Sequence, residues 1–281
     1  MATQPLLELK GVSKRFGAVQ ALYQVDFSAT EGEVMALVGD NGAGKSTLVK
    51  GIAGIYNYDE GEVHFDGKRV NINSPKDSAN LGIEVVYQDL ALADNLDVVA
   101  NMFLGREITR KPEWAKADNR VLKFLSTVAE VGYRRMRHLD ETAMERQTIE
   151  TLDSLSVSTL RSVRLPVASL SGGQRQAIAV AKAVMWNSRV VILDEPTAAL
   201  GVAQTRQVLD LVRRLADKGL AVVIITHNLH DVFEVTDKIT VLRLGQKVNE
   251  FVTADTNRQE VVESITAGQL KTVPGMQEDI A

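Results

Sequence analysis

Residues 34–47 read VMALVGDNGAGKST, an unbroken apolar run that ends in a glycine-rich turn. A continuous run of this kind is a strand buried on both faces, as in a parallel sheet. The residues after it fit the spacing glycine, four residues, glycine, lysine, serine, and helix formers follow from Lys45. Glycines at those positions let successive backbone N–H groups converge on phosphates, and the new helix aims its positive end at the same anion. The loop comprises Gly39, Asp40, Asn41, Gly42, Ala43, Gly44, Lys45, Ser46 and Thr47. Lys45 is the expected phosphate cation, and Ser46 is expected to offer its hydroxyl to Mg²⁺.

Working outward, three further apolar strands end in polar groups. Residues 190–196, VVILDEP, bring Asp194 and Glu195 to the carboxyl end of a buried strand, where ligands sit in parallel sheets. Asp194 is expected to hold Mg²⁺ directly or through water, and Glu195 to polarise the water that attacks the γ-phosphate of ATP. Residues 222–227, VVIITH, place His227 at a third strand end, able to orient that water. Gln88 closes VVYQ, and an amide there suits metal or water coordination. In KRFGAVQAL the face of Phe16 suits stacking on adenine. An aromatic beside a glycine equally serves a core, and both readings stay open. His64, His138 and His230 have no such context and read as surface or packing residues.

A second glycine-rich segment, LSGGQ at 170–174, opens the helix GGQRQAIAVAKAVMW. Ser171 is placed to cap that helix, and Gly172 and Gly173, followed by Gln174, allow close backbone approach to an anion. The segment is assigned to a helical lobe. If the lobe projects away from its own phosphate loop, its helix reaches only the nucleotide of another copy, giving a composite site with two-fold symmetry.

The 281 residues carry 45% hydrophobic and 24% charged residues and a formal charge of -4, values of an ordinary globular chain rather than a disordered or fibrous one. Having no cysteine, the chain has no disulfide framework, thiolate nucleophile or Cys-ligated metal. The longest apolar runs are strand-sized, and the start lacks a signal-peptide pattern, so a cytoplasmic location is expected. Residues 6–29 read as strands broken by SKRFG, and Asp66-Gly67 as a hairpin turn. Over 94–155 helical spacing takes over, with Val121, Leu125, Val128 and Val131 on one face and GREITRKPEWAK as a solvated connector. This defines an inserted lobe of about residues 90–180. Afterwards helix and strand alternate: a helix to Trp186, strand 190–193, helix 203–217 and strand 220–226, implying a largely parallel sheet. A hairpin over 237–252 and a short helix follow. One domain over 1–267 with a frayed tail at 268–281 is expected.

In this order the motifs GDNGAGKST, YQ at Gln88, LSGGQ, VVILDEP and His227 resemble the ATP-binding cassette ATPase family, over about residues 6–265. The resemblance implies an α/β P-loop NTPase fold with a mostly parallel central sheet, an N-terminal antiparallel β subdomain and an inserted α-helical subdomain. It also implies head-to-tail ATP sandwiches. Phe16 then matches the adenine-stacking aromatic, Gln88 the Q-loop, residues 171–174 the signature acting on partner-bound ATP, and His227 the switch histidine. More narrowly, YQDLALADNLDVVANMFLGRE and EPTAALGVAQT resemble the ATPases of bacterial simple-sugar importers. Gly201 departs from the wider family's aspartate but matches that group. A single cassette with intact catalytic positions implies a homodimer on the cytoplasmic membrane face, coupled to integral membrane permease subunits and indirectly to a solute-binding protein. A soluble cassette acting on nucleic acid or ribosomes would carry long coiled-coil or zinc insertions or a tandem cassette, and none is seen, so no nucleic acid partner is expected. A non-hydrolysing regulatory subunit would have lost Glu195 or His227.

Overall fold

The computed structural model describes residues 4–110, 138–157 and 160–270. The expected apolar face at Val121, Leu125, Val128 and Val131, the connector from Lys111 onward and the tail beyond Leu270 lie outside them. In chain order the elements are β1 (Leu7–Phe16), β2 (Val19–Ala29), β3 (Val34–Gly39), α1 (Lys45–Ile52), β4 (Glu60–Phe65), β5 (Lys68–Val70), α2 (Pro75–Asn80), β6 (Ile83–Val86), α3 (Val98–Phe103), α4 (Glu141–Ser154), α5 (Gly172–Val184), β7 (Val190–Asp194), α6 (Val202–Asp217), β8 (Ala221–Ile225), α7 (Leu229–Val235), β9 (Lys238–Arg243), β10 (Gln246–Val252) and α8 (Arg258–Ala267). They fall into two compact units, Met1–Ala91 with Ser171–Ala281, and Leu92–Leu170.

The larger unit holds two sheets. The first is four-stranded and antiparallel, in the order β2-β1-β4-β5. The second is six-stranded, in the order β10-β9-β3-β8-β7-β6. Its neighbours from β9 to β6 run parallel, and β10 is an antiparallel edge strand. Strands β3 and β8 are buried along their whole length, which is why their sequences are apolar at every position rather than alternating. Leu7, Leu22 and Phe27 of the first sheet share one core with Leu37, Ile192 and Val223 of the second and with Leu48 and Ile52 of α1.

Two local expectations change in the folded chain. The break expected at SKRFG falls later, because β1 continues through Phe16 and turns only at Gly17, with φ 58. Lys14 and Arg15 stay in the strand because Asp59 satisfies both, accepting from Lys14 Nζ at 2.8 Å and the Arg15 N–H at 2.6 Å. Helix α5, which the sequence reading groups with the inserted lobe, packs on α6 and β6 in the larger unit. Its buried Ile178, Ala179, Val180 and Ala181 supply the apolar surface for that contact. The Asp66-Gly67 hairpin is present, with φ 53 and 71 at its two turn residues.

In the smaller unit, Asp97 caps α3 by accepting from the Ala100 N–H at 2.7 Å. Asn101, fully buried, accepts from the Ala93 N–H at 2.7 Å and donates to the carbonyls of Ala93, Leu96 and Asp97 at 2.9, 3.2 and 3.0 Å. Arg164 reaches Asp97, Glu141 and Glu145 from the segment after α4.

Candidate active site

The carboxyl ends of β3, β7 and β8 open on one cavity of about 620 Å³. Its walls are the phosphate loop from Asn41 to Thr47, with Gln88, Asp194, Glu195 and Ile225. Gly44 enters α1 at φ 100, a left-handed conformation that suits glycine, and the first residues of α1, Lys45 to Thr47, line the cavity with a helix start that has no side-chain cap. Two tyrosines hold this helix from behind: Tyr56 donates to the Thr47 carbonyl at 2.9 Å and Tyr58 to that of Leu48 at 2.6 Å.

Lys45 folds back over the loop, donating to the carbonyls of Gly39 at 2.7 Å and Asp40 at 3.0 Å. Burial lowers its pKa below the ordinary lysine value, against the pull of Glu195, Asp40 and Asp194. Burial likewise raises the Asp194 carboxyl, reinforced by repulsion from Glu195 and opposed by Lys45 and Lys50. Both members of this pair are pushed toward neutrality, so desolvation exceeds their attraction here. A polyphosphate and a divalent cation are the charges that would relieve each of them. Ser46, Gln88 and Asp194, which carry hydroxyl, amide and carboxylate oxygens, line the same cavity, a donor set that fits Mg²⁺.

Glu195 follows β7 at φ 49, an uncommon conformation for a residue with a side chain, and its N–H donates to the Ile225 carbonyl at 2.8 Å. Its Oε1 lies 3.0 Å from Nδ1 of His227, whose side chain is 80% exposed. His227 therefore meets the site through Glu195 and is not itself a wall of the cavity. Asp231, four residues after His227 on α7, is 2% exposed. It accepts from Thr197 Oγ1 at 2.6 Å and from Asn228 Nδ2 at 2.9 Å, tying the loop after Glu195 to the loop after His227.

Other expected residues stand apart from the cavity. Gly39 and Asp40 contribute carbonyls to Lys45 rather than cavity wall. Phe16 is 45% exposed and meets Tyr56 edge-on at 5.2 Å, with Lys14 Nζ 5.5 Å from its ring centre, and it does not line the cavity. Ser171 caps α5 as expected: its hydroxyl accepts from the Gln174 N–H at 3.4 Å and its own N–H donates to the Gln174 side chain at 2.9 Å. Residues 171–174 take no part in the cavity wall. The sequence reading missed Val19, Gln20, Ala21, Ile225, Leu244 and Gly245, which do line it, and the Asp231 tether. A glycine directly after an exposed leucine at the β9–β10 turn was the available signal for one of these.

Fold and cavity together define a P-loop nucleoside-triphosphate-binding protein with an acidic pair opposite its lysine. The ABC transporter family profile matches residues 22–198. The chain belongs to the ABC transporter family, and it is an ATPase. It is 44% identical over 248 residues to the fructose import ATP-binding protein FrcA of Rhizobium meliloti, covering 88% of each chain. It is 43% identical over 268 residues to the xylose/arabinose import ATP-binding protein XylG of Sulfolobus acidocaldarius, covering 95% of this chain and 96% of that one. Among solved structures, a nucleotide-free ATP-binding cassette from an ABC transporter superposes with a TM-score of 0.72 at 26% identity, covering 95% of this chain and all of the other.

Proposed function

We propose that this ATPase powers the import of a simple sugar, closing as a homodimer around two ATP molecules and passing the closure to membrane permease subunits. The names of its relatives, import proteins for fructose and for xylose and arabinose, support the substrate class. Residues 1–267 act as one cassette. No described helix is long and apolar enough to cross a membrane, consistent with a subunit docked on the cytoplasmic face. Sugar selection would then rest with the permease and a solute-binding protein.

In this reading Lys45 and the N–H groups of the loop bind the phosphates, and Ser46, Asp194 and Gln88 hold Mg²⁺. When bound there, the cation would supply neutralisation of phosphate charge. Glu195 positions and polarises the attacking water, and His227 orients Glu195 and the γ-phosphate. Phe16, outside the cavity wall, is the stacking partner assigned to adenine in this reading. The observation that carries the dimer is the split between two anion-binding elements: the phosphate loop walls the cavity, while the capped helix start at Ser171, Gly172, Gly173 and Gln174 does not. Those four residues act on ATP held by the second copy.

The test is Glu195→Gln in saturating MgATP. Size-exclusion chromatography should show a stable dimer, because binding is kept while turnover stops. A monomer under those conditions refutes the sandwich. Purification from native membranes should bring a polytopic permease with the chain; recovery of ribosomes or DNA instead overturns the transport role.

A further inference from the structure

The turn between β9 and β10 consists of Leu244 at φ 45 and Gly245 at φ 77. With both residues at positive φ, this is the hairpin turn that asparagine, aspartate or glycine adopt at least cost. The hairpin between β4 and β5 obeys that rule, with Asp66 and Gly67 in the same conformation. Leu244 breaks it, and is 63% exposed as well. Backbone strain and uncovered apolar surface thus fall on one side chain, a combination that points toward a function.

The position of the turn suggests which one. The Gly245 N–H donates to the Ala43 carbonyl of the phosphate loop at 3.0 Å, and its carbonyl accepts from the Tyr23 N–H at 2.8 Å. A Cβ on Gly245 would lie 2.6 Å from the Ala21 carbonyl oxygen, and one on Gly44 would lie 3.4 Å from Gly245 Cα. The turn is therefore seated against both β2 and the phosphate loop. Leu244 lines the cavity, and so does Val19, itself 64% exposed, at the start of the strand whose Ala21 the turn packs against. Lys45 and the helix-start N–H groups belong to the loop at 41–47, whereas Leu244 and Val19 add apolar surface to the same cavity.

We propose that Leu244 determines specificity for the nucleoside half of the nucleotide, forming with Val19 an apolar lip that base and ribose cover when the phosphates are held by Lys45. The proposal rests on the ATP-binding reading. Highly charged phosphates gain nothing from a leucine, whereas the faces of a base and a ribose do.

The test compares MgATP with inorganic tripolyphosphate in the presence of Mg²⁺, each titrated calorimetrically into the full chain. Leu244→Asn should weaken ATP by about three- to tenfold, the value of covering part of a leucine, while leaving tripolyphosphate within about twofold. Its melting temperature without nucleotide should equal or exceed that of the unaltered chain, because asparagine suits the turn. Leu244→Ala keeps the strained backbone but removes the apolar reach, and should show the same split between the two ligands. Unchanged ATP affinity, equal weakening of both ligands, or a lower melting temperature for the asparagine variant overturns the proposal. Lys45→Ala separates the two readings: it should weaken both ligands, and if it weakens neither, the phosphate-cavity assignment fails irrespective of Leu244.

Discussion

Thr197→Val isolates the tether between the loops that follow Glu195 and His227. Valine matches threonine in shape but removes the hydroxyl that donates to Asp231 Oδ2 at 2.6 Å, leaving Asn228 as the remaining side-chain donor to that residue. Asp231 is almost wholly buried, so the lost donor is not replaced freely by water. A hydrogen bond to a charged acceptor contributes about 1.5–3 kcal/mol. At about 2–4 °C per kcal/mol for a chain of this size, the melting temperature should fall by about 3–12 °C. The Glu195 loop is then free to drift from His227, 3.0 Å away, and turnover should fall about tenfold for a displacement of a fraction of an ångström. Affinity for ATP should stay within about twofold, because the Lys45 loop hangs from β3 and takes no part in the tether. Thermal denaturation, calorimetric titration with MgATP and steady-state phosphate release measure the three quantities. A lower melting temperature with unchanged turnover would refute the link between tether and chemistry, and an unchanged melting temperature would refute the tether itself. A double-mutant cycle with Asp231→Asn should show coupling above about 0.5 kcal/mol.

The hydrogen bonds that Asp59 accepts from Lys14 and from the Arg15 N–H hold its carboxyl below the ordinary aspartate value. Its contribution to stability is therefore present above the unfolded-state pKa and is lost as pH falls through the lower folded value. Urea midpoints of the native chain and Asp59→Asn should differ at pH 7, by less than about 1 kcal/mol given solvent screening, and should converge in strong acid; a gap that widens in acid contradicts the assignment. Tyr58→Phe removes a partly buried donor from the Leu48 carbonyl and should cost about 1 kcal/mol by urea denaturation. Asn101→Ala strips four hydrogen bonds from the interior of the smaller unit and should cost about 3 kcal/mol; protection of nearby amides from hydrogen exchange should fall, and unchanged protection refutes its role.

The parts of this molecule that could be read in advance are those where local sequence and global fold demand the same thing. VMALVG, VVIL and AVVII are apolar throughout because their strands are covered on both faces, and the glycine spacing after β3 leaves few backbone paths open. Strand ends carrying Gln88, Glu195 and His227 followed from the same logic. What stayed hidden depends on contacts distant in sequence. SKRF remains in a strand because Asp59, from a loop more than forty residues on, binds Lys14 and Arg15. The cavity rim at Leu244 arises because a hairpin far along the chain packs on Ala43 and Tyr23. Asp231 looked like an ordinary helix residue, and only its meeting with Thr197 gives it a role. The grouping of α5 with the sheet unit also follows from tertiary packing on α6, which no period in its own sequence encodes.

The ladder β3-β8-β7-β6 makes the backbone a ruler. Its rungs pair Leu37 with Ile225, Asp194 with Ile225, and Val86 with Leu193, so the tips are locked in step. Neighbouring tips sit about 4.8 Å apart. Inserting or deleting one amino acid inside β7 would carry Glu195 about 3.3 Å along the strand and swing it to the opposite face. Exchange of side chains within these strands is therefore a matter of degree, whereas a change of length is all or nothing, and length variation among descendants of this chain should accumulate in its connecting loops.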